Sequence, residues 1–377
     1  MNVCRKIAIA LWVGCLFFGQ ANAEQTVTIT DLAGRSVEVS VPVKKLILGE
    51  GRYLPSLAIL DRDDPTQRVV GMMGEFEKYD PASYEQYRHR YPALDDIPRI
   101  GASNASSFSL EQALSVSPDV AIFGLSSGHG PNDNDKQLLA TLEAAGVPVV
   151  ILDFRIDPLV NTPRSIEILG ELLGRKKEAD EFLSFYREQL NRVTSVLPEK
   201  SSGPTVFMES RVGLAVDCCE AIGARMMGRF ITAAGGRNAF GDMIPGTHGS
   251  VSREYLLLNE PDVYIGTAIG SAETEERFPQ FIQLGAGTLK GNAEESLQAA
   301  LSRPELRELK AVKQGRAYAI WHHFYNSPMN VVAVQVIAKW LHPQSFKSLN
   351  PEETLRTYFD RFQPVPLNGV YWAHPGR

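Results

Sequence analysis

The chain has 377 residues, of which 44% are hydrophobic and 22% are charged, a composition typical of folded proteins and too apolar for an intrinsically disordered chain. Its length is sufficient for two domains of ordinary size. The 38 Lys and Arg residues are outnumbered by 44 Asp and Glu residues, and no stretch concentrates the basic ones. A nucleic acid is therefore not an expected partner.

Residues 1–23 have the features of a signal peptide. Arg5 and Lys6 precede an apolar run that is too short to span a bilayer, and small residues stand before a cleavage site after Ala23. We predict export to the periplasm with cleavage at this site, which leaves 38 − 2 = 36 basic residues against 44 acidic ones. The alternative is a lipoprotein signal that ends at Cys15, but the residues around this cysteine fit a lipid anchor poorly.

Cys218 and Cys219 are the cysteines that remain after cleavage, and they are neighbours in the chain. A bridge between adjacent residues is strained, because their Cα atoms are closer than in ordinary disulfides. An oxidising compartment still permits it. A vicinal disulfide and two free thiols both remain open, and neither would link distant parts of the fold.

The predicted elements begin with a β-hairpin at residues 26–43, where apolar and polar residues alternate on both sides of Asp31-Leu32-Ala33-Gly34-Arg35. Short apolar runs typical of buried strands then alternate with segments of helical periodicity. The predicted strands are 45–48, 68–71, 119–123 and 148–152, and the predicted helices are 110–116 and 137–145. This alternation predicts an α/β lobe with a mainly parallel sheet.

A long helix is predicted from Lys176 to Leu197, because this segment contains no Gly or Pro and its apolar residues recur on one face. After it the α/β pattern resumes, with strands at 205–208, 262–265 and 317–320 and helices at 225–234 and 329–341. We therefore predict two Rossmann-like α/β lobes joined by one long rigid helix. The predicted bounds are 24–175 for the first lobe, 176–198 for the helix and 199–377 for the second lobe.

Several motifs in this order resemble periplasmic substrate-binding proteins of the importers, driven by an ATP-binding cassette (ABC), that take up iron-siderophores, heme and vitamin B12. The resemblance covers essentially all of the chain after the signal peptide. The motifs that carry it are Asp31-Leu32-Ala33-Gly34-Arg35, Ser109-Leu110-Glu111 with Ser117-Pro118-Asp119-Val120, the long helix, Ala234-Gly235-Gly236-Arg237-Asn238, Ser252-Arg253-Glu254 with Glu260-Pro261-Asp262-Val263, and Val312-Lys313-Gln314-Gly315-Arg316-Ala317-Tyr318. The family implies a two-lobe protein with its ligand in the cleft between the lobes.

Glu111 and Glu254 occupy matching positions in the two halves, each near the start of a helix that precedes a strand beginning with Pro-Asp. The resemblance implies that they dock onto an inner-membrane permease dimer, which works with a cytoplasmic ATPase. Spacing alone favours a simpler interpretation, in which each carboxylate is stabilised by the dipole of its own helix.

Candidate ligand-binding residues follow the predicted strands, where an open α/β sheet presents its binding crevice. Cations and aromatic rings together suit a large, flat or anionic ligand. The candidates are Arg52, Tyr53, Phe76, Tyr79, His129, Arg155, Arg211, His248, Trp321, His322, His323 and Tyr325. On an extended segment His322 and His323 would point to opposite sides, so we expect one in the cleft and one packed in the core.

The expected function is capture of a metal chelate, most simply a ferric siderophore, by a monomeric periplasmic protein without a cofactor, a directly bound metal ion or an enzymatic activity. Heme, cobalamin or a nickel chelate are the alternatives within the same family. A free metal ion is a weaker alternative, because it would need three or four converging ligands.

A hydrolase is a remote alternative, since Gly124-Leu125-Ser126-Ser127-Gly128 matches the G-x-S-x-G motif and Asp262 and His322 follow it in the order of a catalytic triad. However, Gly128-His129-Gly130-Pro131 breaks the helix that should follow such a serine directly.

Overall fold

The computed structural model describes residues 25–126, 128–197, 203–215, 219–271 and 274–375. The predicted signal peptide and Cys218 lie outside these residues. Cys219 is buried and disulfide-bonded. Among the helices described, none has both the length and the apolar character needed to cross a membrane.

The first part of the chain forms a hairpin and a parallel sheet. Its strands are β1 Gln25–Thr30, β2 Ser36–Val41, β3 Leu46–Leu48, β4 Val69–Met73, β5 Arg99–Gly101, β6 Val120–Gly124 and β7 Val149–Leu152. Strands β1 and β2 pair antiparallel, as the alternating pattern predicts. The other five form one sheet in the order β5-β4-β3-β6-β7, in which every neighbour is parallel.

Helices and short 3-10 turns connect these strands. The α-helices are α1 Leu54–Leu57, α2 Glu75–Tyr79, α3 Pro81–Arg90, α4 Leu110–Ser115, α5 Lys136–Ala144, α6 Pro158–Leu173 and α7 Lys176–Thr194. The 3-10 turns are Gly51–Tyr53, Pro92–Asp96 and Ala105–Ser107. Buried apolar residues of β3, β4, β6 and β7 lie on both faces of the sheet, since both faces are covered.

Two consecutive helices, α6 and α7, lead from the first sheet to the second. The sequence predicts only α7, because Pro163 and Gly170 interrupt the pattern of α6. Gly170 is required by the packing of the two helices, since a Cβ there would stand 2.6 Å from the Cβ of Ala179. Gly174 ends α6 in the left-handed conformation, with φ 65°, so that α7 can start in a new direction.

The second part of the chain forms a larger, mostly parallel sheet. Its strands are β8 Thr205–Glu209, β9 Glu220–Ile222, β10 Arg237–Asn238, β11 His248–Ser250, β12 Val263–Ala268, β13 Ala317–Trp321 and β14 Trp372–Ala373. The order is β11-β9-β8-β12-β13-β14, with β10 beside β8. The central strands β8, β12 and β13 run parallel, whereas β9, β11 and β14 are antiparallel.

The helices of this part are α8 Gly228–Ala233, α9 Arg253–Leu258, α10 Lys290–Leu301, α11 Lys310–Lys313, α12 Asn330–Leu341 and α13 Pro351–Phe362, with a 3-10 turn at His322–Asn326. The parallel first sheet, the parallel central strands of the second sheet and the intervening helices confirm the predicted two-lobe α/β class.

Helix α7 packs against helices of the second part by polar as well as apolar contacts. The hydroxyl of Tyr186 donates to Asn330 Oδ1 of α12 at 2.8 Å. Helix α13 returns to the same region, where Phe362 packs edge-on against Phe182 with ring centroids 5.2 Å apart. The Nε2 of Gln363, just beyond α13, donates to the carbonyl of Pro55 in the first part at 3.1 Å. The end of the chain therefore contacts both lobes.

Candidate functional site

The carboxyl ends of the parallel strands of both sheets open onto one cleft of about 1180 Å³ between the lobes, a volume that includes its open mouth. Loops after β3, β4, β6 and β7 line it from the first lobe, and loops after β8, β12 and β13 line it from the second. This is the place where an open α/β sheet presents its ligand site.

Most of the predicted ligand-binding residues line this cleft. They are Arg52, Tyr79, His129, Arg155, Arg211, His248, His322, His323 and Tyr325. They come from separate loops. They meet because the carboxyl ends of the strands of both sheets face the same cleft.

Tyr53, Trp321 and Phe76 are not among the residues that line the cleft. Tyr53 is buried against Phe154, with ring centroids 5.3 Å apart. Trp321 packs edge-on against Tyr371 at 5.1 Å and borders a smaller cavity nearby, which Phe76 also lines. These three residues therefore pack beside the cleft and do not line it with the other candidates.

His322 and His323 differ from the sequence expectation. They lie on the 3-10 turn after β13 and not on an extended segment, so both line the cleft and both are buried. The expectation of one histidine in the cleft and one in the core is therefore wrong. His322 shares a 3.0 Å hydrogen bond between Nδ1 and Thr267 Oγ1, whereas His323 Nδ1 lies 3.1 Å from Nη1 of Arg52.

Arg155 follows β7 and lines the cleft without forming an ion pair among the described residues. Its backbone N–H donates to Asp153 Oδ1 at 2.8 Å, which holds the loop in place. Its guanidinium lies over the ring of Tyr325, 5.1 Å from the centroid. The buried Nε and Nη1 have no hydrogen-bond partner among the described residues. Arg155 therefore presents a cation that is oriented by an aromatic ring and has no hydrogen-bonded anion among the described residues.

Arg211 follows β8 and has a carboxylate partner. Its Nη2 lies 2.7 Å from both carboxylate oxygens of Glu220, and its backbone N–H donates to Thr267 Oγ1 at 2.7 Å. The residue has φ 50°, an uncommon conformation for a side chain of this size. His248 is beside it, with Nε2 at 3.5 Å from Glu220 Oε1.

Arg52, Glu50 and Glu75 form a buried charged cluster at the floor of the cleft. The Nη2 of Arg52 donates to Glu50 Oε1 at 2.5 Å, and the backbone N–H of Arg52 donates to Glu75 Oε1 at 3.0 Å. Burial acts to raise the pKa of Glu50, but Arg52 and other nearby cations outweigh it and lower the pKa. Burial, together with the charge of Glu50, raises the pKa of Glu75 to about 8. The cluster at neutral pH is thus an ionised Glu50, a cationic Arg52 and a protonated Glu75.

The histidines of the cleft are held in the neutral form. Burial, followed by the charge of Arg52, lowers the pKa of His129 to about 4. Burial also lowers the pKa of His322 and His323 well below the usual value, and that of His248 below it. A neutral imidazole can accept a hydrogen bond or coordinate a metal. The positive charge of the cleft therefore comes from its arginines and Lys78.

An apolar wall on the second lobe was missed by the sequence analysis. It consists of Leu214, Ile269, Phe278 and Phe281, with Met226 nearby. The rings of Phe278 and Phe281 stack with centroids 4.9 Å apart and an interplanar angle of 19°. These phenylalanines belong to the connection between β12 and α10, and no cation or histidine next to the predicted strand 262–265 pointed to this loop. On the first lobe the rings of Tyr79 and His129 lie 4.5 Å apart.

The two predicted docking glutamates lie at matching positions on short helices. Ser109 caps α4 by accepting from the N–H of Gln112, and Ser252 caps α9 by accepting from the N–H of Tyr255. Glu111 and Glu254 lie in the first turns and are exposed. Neither forms an ion pair within the described parts of the chain, so both carboxylates are accessible to a partner.

The triad of the hydrolase alternative does not assemble. Asp262 precedes β12 and accepts from the backbone N–H and hydroxyl of Thr205, whereas His322 follows the neighbouring parallel strand β13. The two side chains thus lie at opposite ends of the second sheet, roughly 20 Å apart from the rise per strand residue. Ser126 does have a positive φ of 40°, but the next α-helix begins only at Lys136.

Over the described residues, no group of three or more His, Cys, Asp or Glu side chains is arranged to hold a metal ion. The donor set of the cleft suits a ligand that brings its own anionic groups, because its cations would repel a bare metal ion.

Comparisons with known proteins agree with this architecture. The family model described as "Periplasmic binding protein" matches residues 75–321, about two thirds of the chain. Comparison with curated protein sequences gives no match. The TroA-like periplasmic binding protein FepB from Veillonella parvula superposes with a TM-score of 0.80 at 24% identity, over 93% of this chain and 100% of that one.

Two further solved structures share the fold at lower similarity. The molybdate-bound periplasmic protein MolA from Haemophilus influenzae has a TM-score of 0.67 at 17% identity, over 91% of this chain and 99% of that one. The heme-binding protein RhuT from Roseiflexus has a TM-score of 0.55 at 18% identity, over 80% and 99%. At these identities the matches show the fold alone. The family model, which matches more than half of the chain, establishes that this chain belongs to the periplasmic binding protein family.

Proposed function

We propose that this protein binds an anionic metal chelate, most simply a ferric siderophore, in the cleft between its lobes and delivers it to an ABC permease in the inner membrane. The observation that carries the proposal is Arg155, a cation stacked on Tyr325 whose buried nitrogens lack a partner. Catecholate, hydroxamate or carboxylate oxygens of a chelate would supply the missing anion.

The apolar wall supports a chelate over a bare oxyanion. A small oxyanion such as molybdate needs a close shell of donors and gains nothing from stacked phenylalanines. An organic chelate has a hydrocarbon or aromatic framework that can pack on Phe278 and Phe281 while its anionic groups face Arg155 and Arg211.

Heme is the second candidate, because the cleft holds neutral histidines beside Tyr325. An uncharged imidazole or a tyrosine oxygen can coordinate iron. The heme propionates would then pair with the arginines. Cobalamin and nickel chelates are included in the same test.

Export to the periplasm and docking complete the proposal. The family assignment and the accessible Glu111 and Glu254 support delivery to a permease dimer that carries one basic contact for each lobe. The proposed lobe bounds remain 24–175 and 199–377, with residues 176–198 between them.

Thermal unfolding and calorimetric titration with a ligand panel test the function. The panel contains catecholate, hydroxamate and carboxylate ferric siderophores, heme, cobalamin, nickel with histidine, and molybdate. A ligand at a hundredfold excess over its Kd stabilises the native state by about 2.7 kcal/mol, which is a measurable rise in Tm. We expect a rise with one class of ferric siderophore. A rise with molybdate alone would contradict the chelate proposal, and a heme complex with an axial-ligand absorbance spectrum would favour the second candidate.

A further inference from the structure

We propose that Glu50, Arg52 and Asn326 form an interlobe latch, in which Arg52 is a positioning residue that holds the turn His322–Asn326 against the first lobe and thereby sets the opening of the cleft. The latch is defined as the side chains of these three residues together with their acceptors Tyr325 and His323. It acts in the protein without ligand and so goes beyond the proposed function.

The contacts of the latch cross the cleft floor. Arg52 Nη1 donates to the hydroxyl of Tyr325 at 3.0 Å and lies 3.1 Å from Nδ1 of His323. Asn326 Nδ2 donates to Glu50 Oε1 at 2.7 Å. Glu50 and Arg52 follow strand β3 of the first sheet, and the other three residues follow β13 of the second. Three side chains of one short turn are therefore held by two side chains of the opposite lobe.

The internal geometry of the latch makes it a unit. Glu50 Oε1 accepts from both Arg52 Nη2 and Asn326 Nδ2, so one carboxylate oxygen joins the cation of its own lobe to the amide of the other. All five side chains are buried, with residue exposures between 2% and 7%. Hydrogen bonds to charged groups in such an environment are stronger and more directional than those exposed to water.

Arg52 and Arg155 consequently differ in their contacts and in their roles. Both terminal nitrogens of Arg52 form hydrogen bonds with protein groups. Arg155 instead lies on the face of the Tyr325 ring, and its buried Nε and Nη1 have no hydrogen-bond partner among the described residues. By fixing Tyr325, Arg52 also fixes the platform on which Arg155 is oriented. A loss of Arg52 is therefore expected to move the second-lobe turn and to disturb Arg155 indirectly.

The distance between the lobes in the ligand-free protein tests the latch. Spin labels are attached through unnatural amino acids at the exposed positions Ala144 on α5 and Gln298 on α10, and the distance distribution is measured by pulsed electron resonance. The variants are Tyr325→Phe, which removes only the hydroxyl acceptor, and Arg52→Lys, which keeps the charge but cannot reach Glu50 and the turn together.

A matched control is available within one lobe. The hydroxyl of Tyr264 donates to Glu209 Oε2 at 2.5 Å, and Arg303 pairs with the same carboxylate, so Tyr264→Phe removes a buried tyrosine–carboxylate contact that does not join the lobes. Circular dichroism verifies that each variant is folded before its distances are measured.

We expect Tyr325→Phe and Arg52→Lys to broaden the distance distribution and shift it to longer distances, and Tyr264→Phe to leave it unchanged. Hydrogen exchange of the amides in His322–Asn326 is expected to accelerate in the first two variants only. A wild-type distribution in both folded latch variants would overturn the proposal, as would an equal change in the control. Because no ligand is used, this result is independent of whether the protein binds a chelate.

Discussion

Replacing Glu75 by Gln tests the electrostatics of the cleft floor. Glu75 is fully buried, its Oε1 accepts the backbone N–H of Arg52, and its Oε2 has no partner among the described residues. Burial and the charge of Glu50 raise the pKa to about 8 from an ordinary value of 4.5. The native protein thus retains a proton at neutral pH that the unfolded chain releases.

This difference makes the free energy of unfolding depend on pH. Below pH 4.5 the Glu75 carboxyl is protonated in both the native and the unfolded state, so it does not make the free energy of unfolding depend on pH. Between pH 4.5 and about 8 only the unfolded state releases the proton, so ionisation of Glu75 favours unfolding more strongly as the pH rises. At about 1.4 kcal/mol per pH unit, the step from 4.5 to 7 lowers the contribution of Glu75 to the free energy of unfolding by roughly 3 kcal/mol. Gln has the shape of the protonated acid, retains the acceptor for Arg52 and cannot ionise in either state.

Glu75→Gln is therefore expected to be more stable than the wild-type protein by roughly 3 kcal/mol at pH 7, with a difference near zero at pH 4. The measurement is denaturant unfolding of both proteins at a series of pH values, so that all other titrating groups cancel in the difference. Glu77→Gln on the same helix is the control, since Glu77 is exposed and should give no such trend. A difference that is constant with pH, or a less stable Gln variant at pH 7, would show that Glu75 is ionised in the native cleft.

Three further predictions concern the ligand, the permease and the histidines. Arg155→Ala should weaken binding of the ligand identified by the panel by about ten- to a hundredfold without loss of fold, because a charge-assisted contact is lost. In the same calorimetric measurement, the control Arg187→Ala on the exposed side of α7 should leave the Kd unchanged. The double variant Glu111→Ala with Glu254→Ala should preserve the Kd and the Tm but impair uptake in vesicles with the reconstituted permease. Normal uptake at a limiting concentration of the binding protein would leave both residues with only a helix-stabilising role. His129 is neutral in the native protein above pH about 4, whereas in the unfolded chain it becomes protonated below its ordinary pKa of 6.5, so its contribution to the free energy of unfolding falls as the pH falls from 6.5 to 4. His129→Gln should therefore become more stable relative to the wild-type protein over this pH range in denaturant unfolding, and a difference between the two proteins that does not change with pH would contradict the burial of the imidazole.

The sequence by itself determined the class of fold and most of the loops that line the cleft. Alternating residues at 26–43 predict the hairpin that β1 and β2 form, and the short apolar runs predict the parallel strands of both sheets. These signals are local, because strand and helix periodicity arise from the chain's own geometry. The positions of Glu111 and Glu254 near the starts of their helices could be predicted from the sequence because these signals are also local.

Helix α6 could not be predicted from the sequence, although it is a regular α-helix. Pro158 stands at its start, where the missing N–H costs nothing, but Pro163 and Gly170 indicate a break when they are taken alone. The helix persists because its apolar face is buried and because Gly170 allows close contact with Ala179 of α7. Tertiary packing thus outweighed local propensity.

The chemistry of the cleft was decided by the tertiary structure. Sequence order placed Arg52, Arg155 and Arg211 in equivalent loops, but only the fold gives Arg52 the partners Glu50, Tyr325 and His323, the last of them 271 positions away. The same fold pairs Arg211 with Glu220 and leaves the buried Nε and Nη1 of Arg155 without a hydrogen-bond partner among the described residues. Charge, burial and pKa depend on distances between residues far apart in the chain, and these distances exist only after the two sheets have brought their strand ends together.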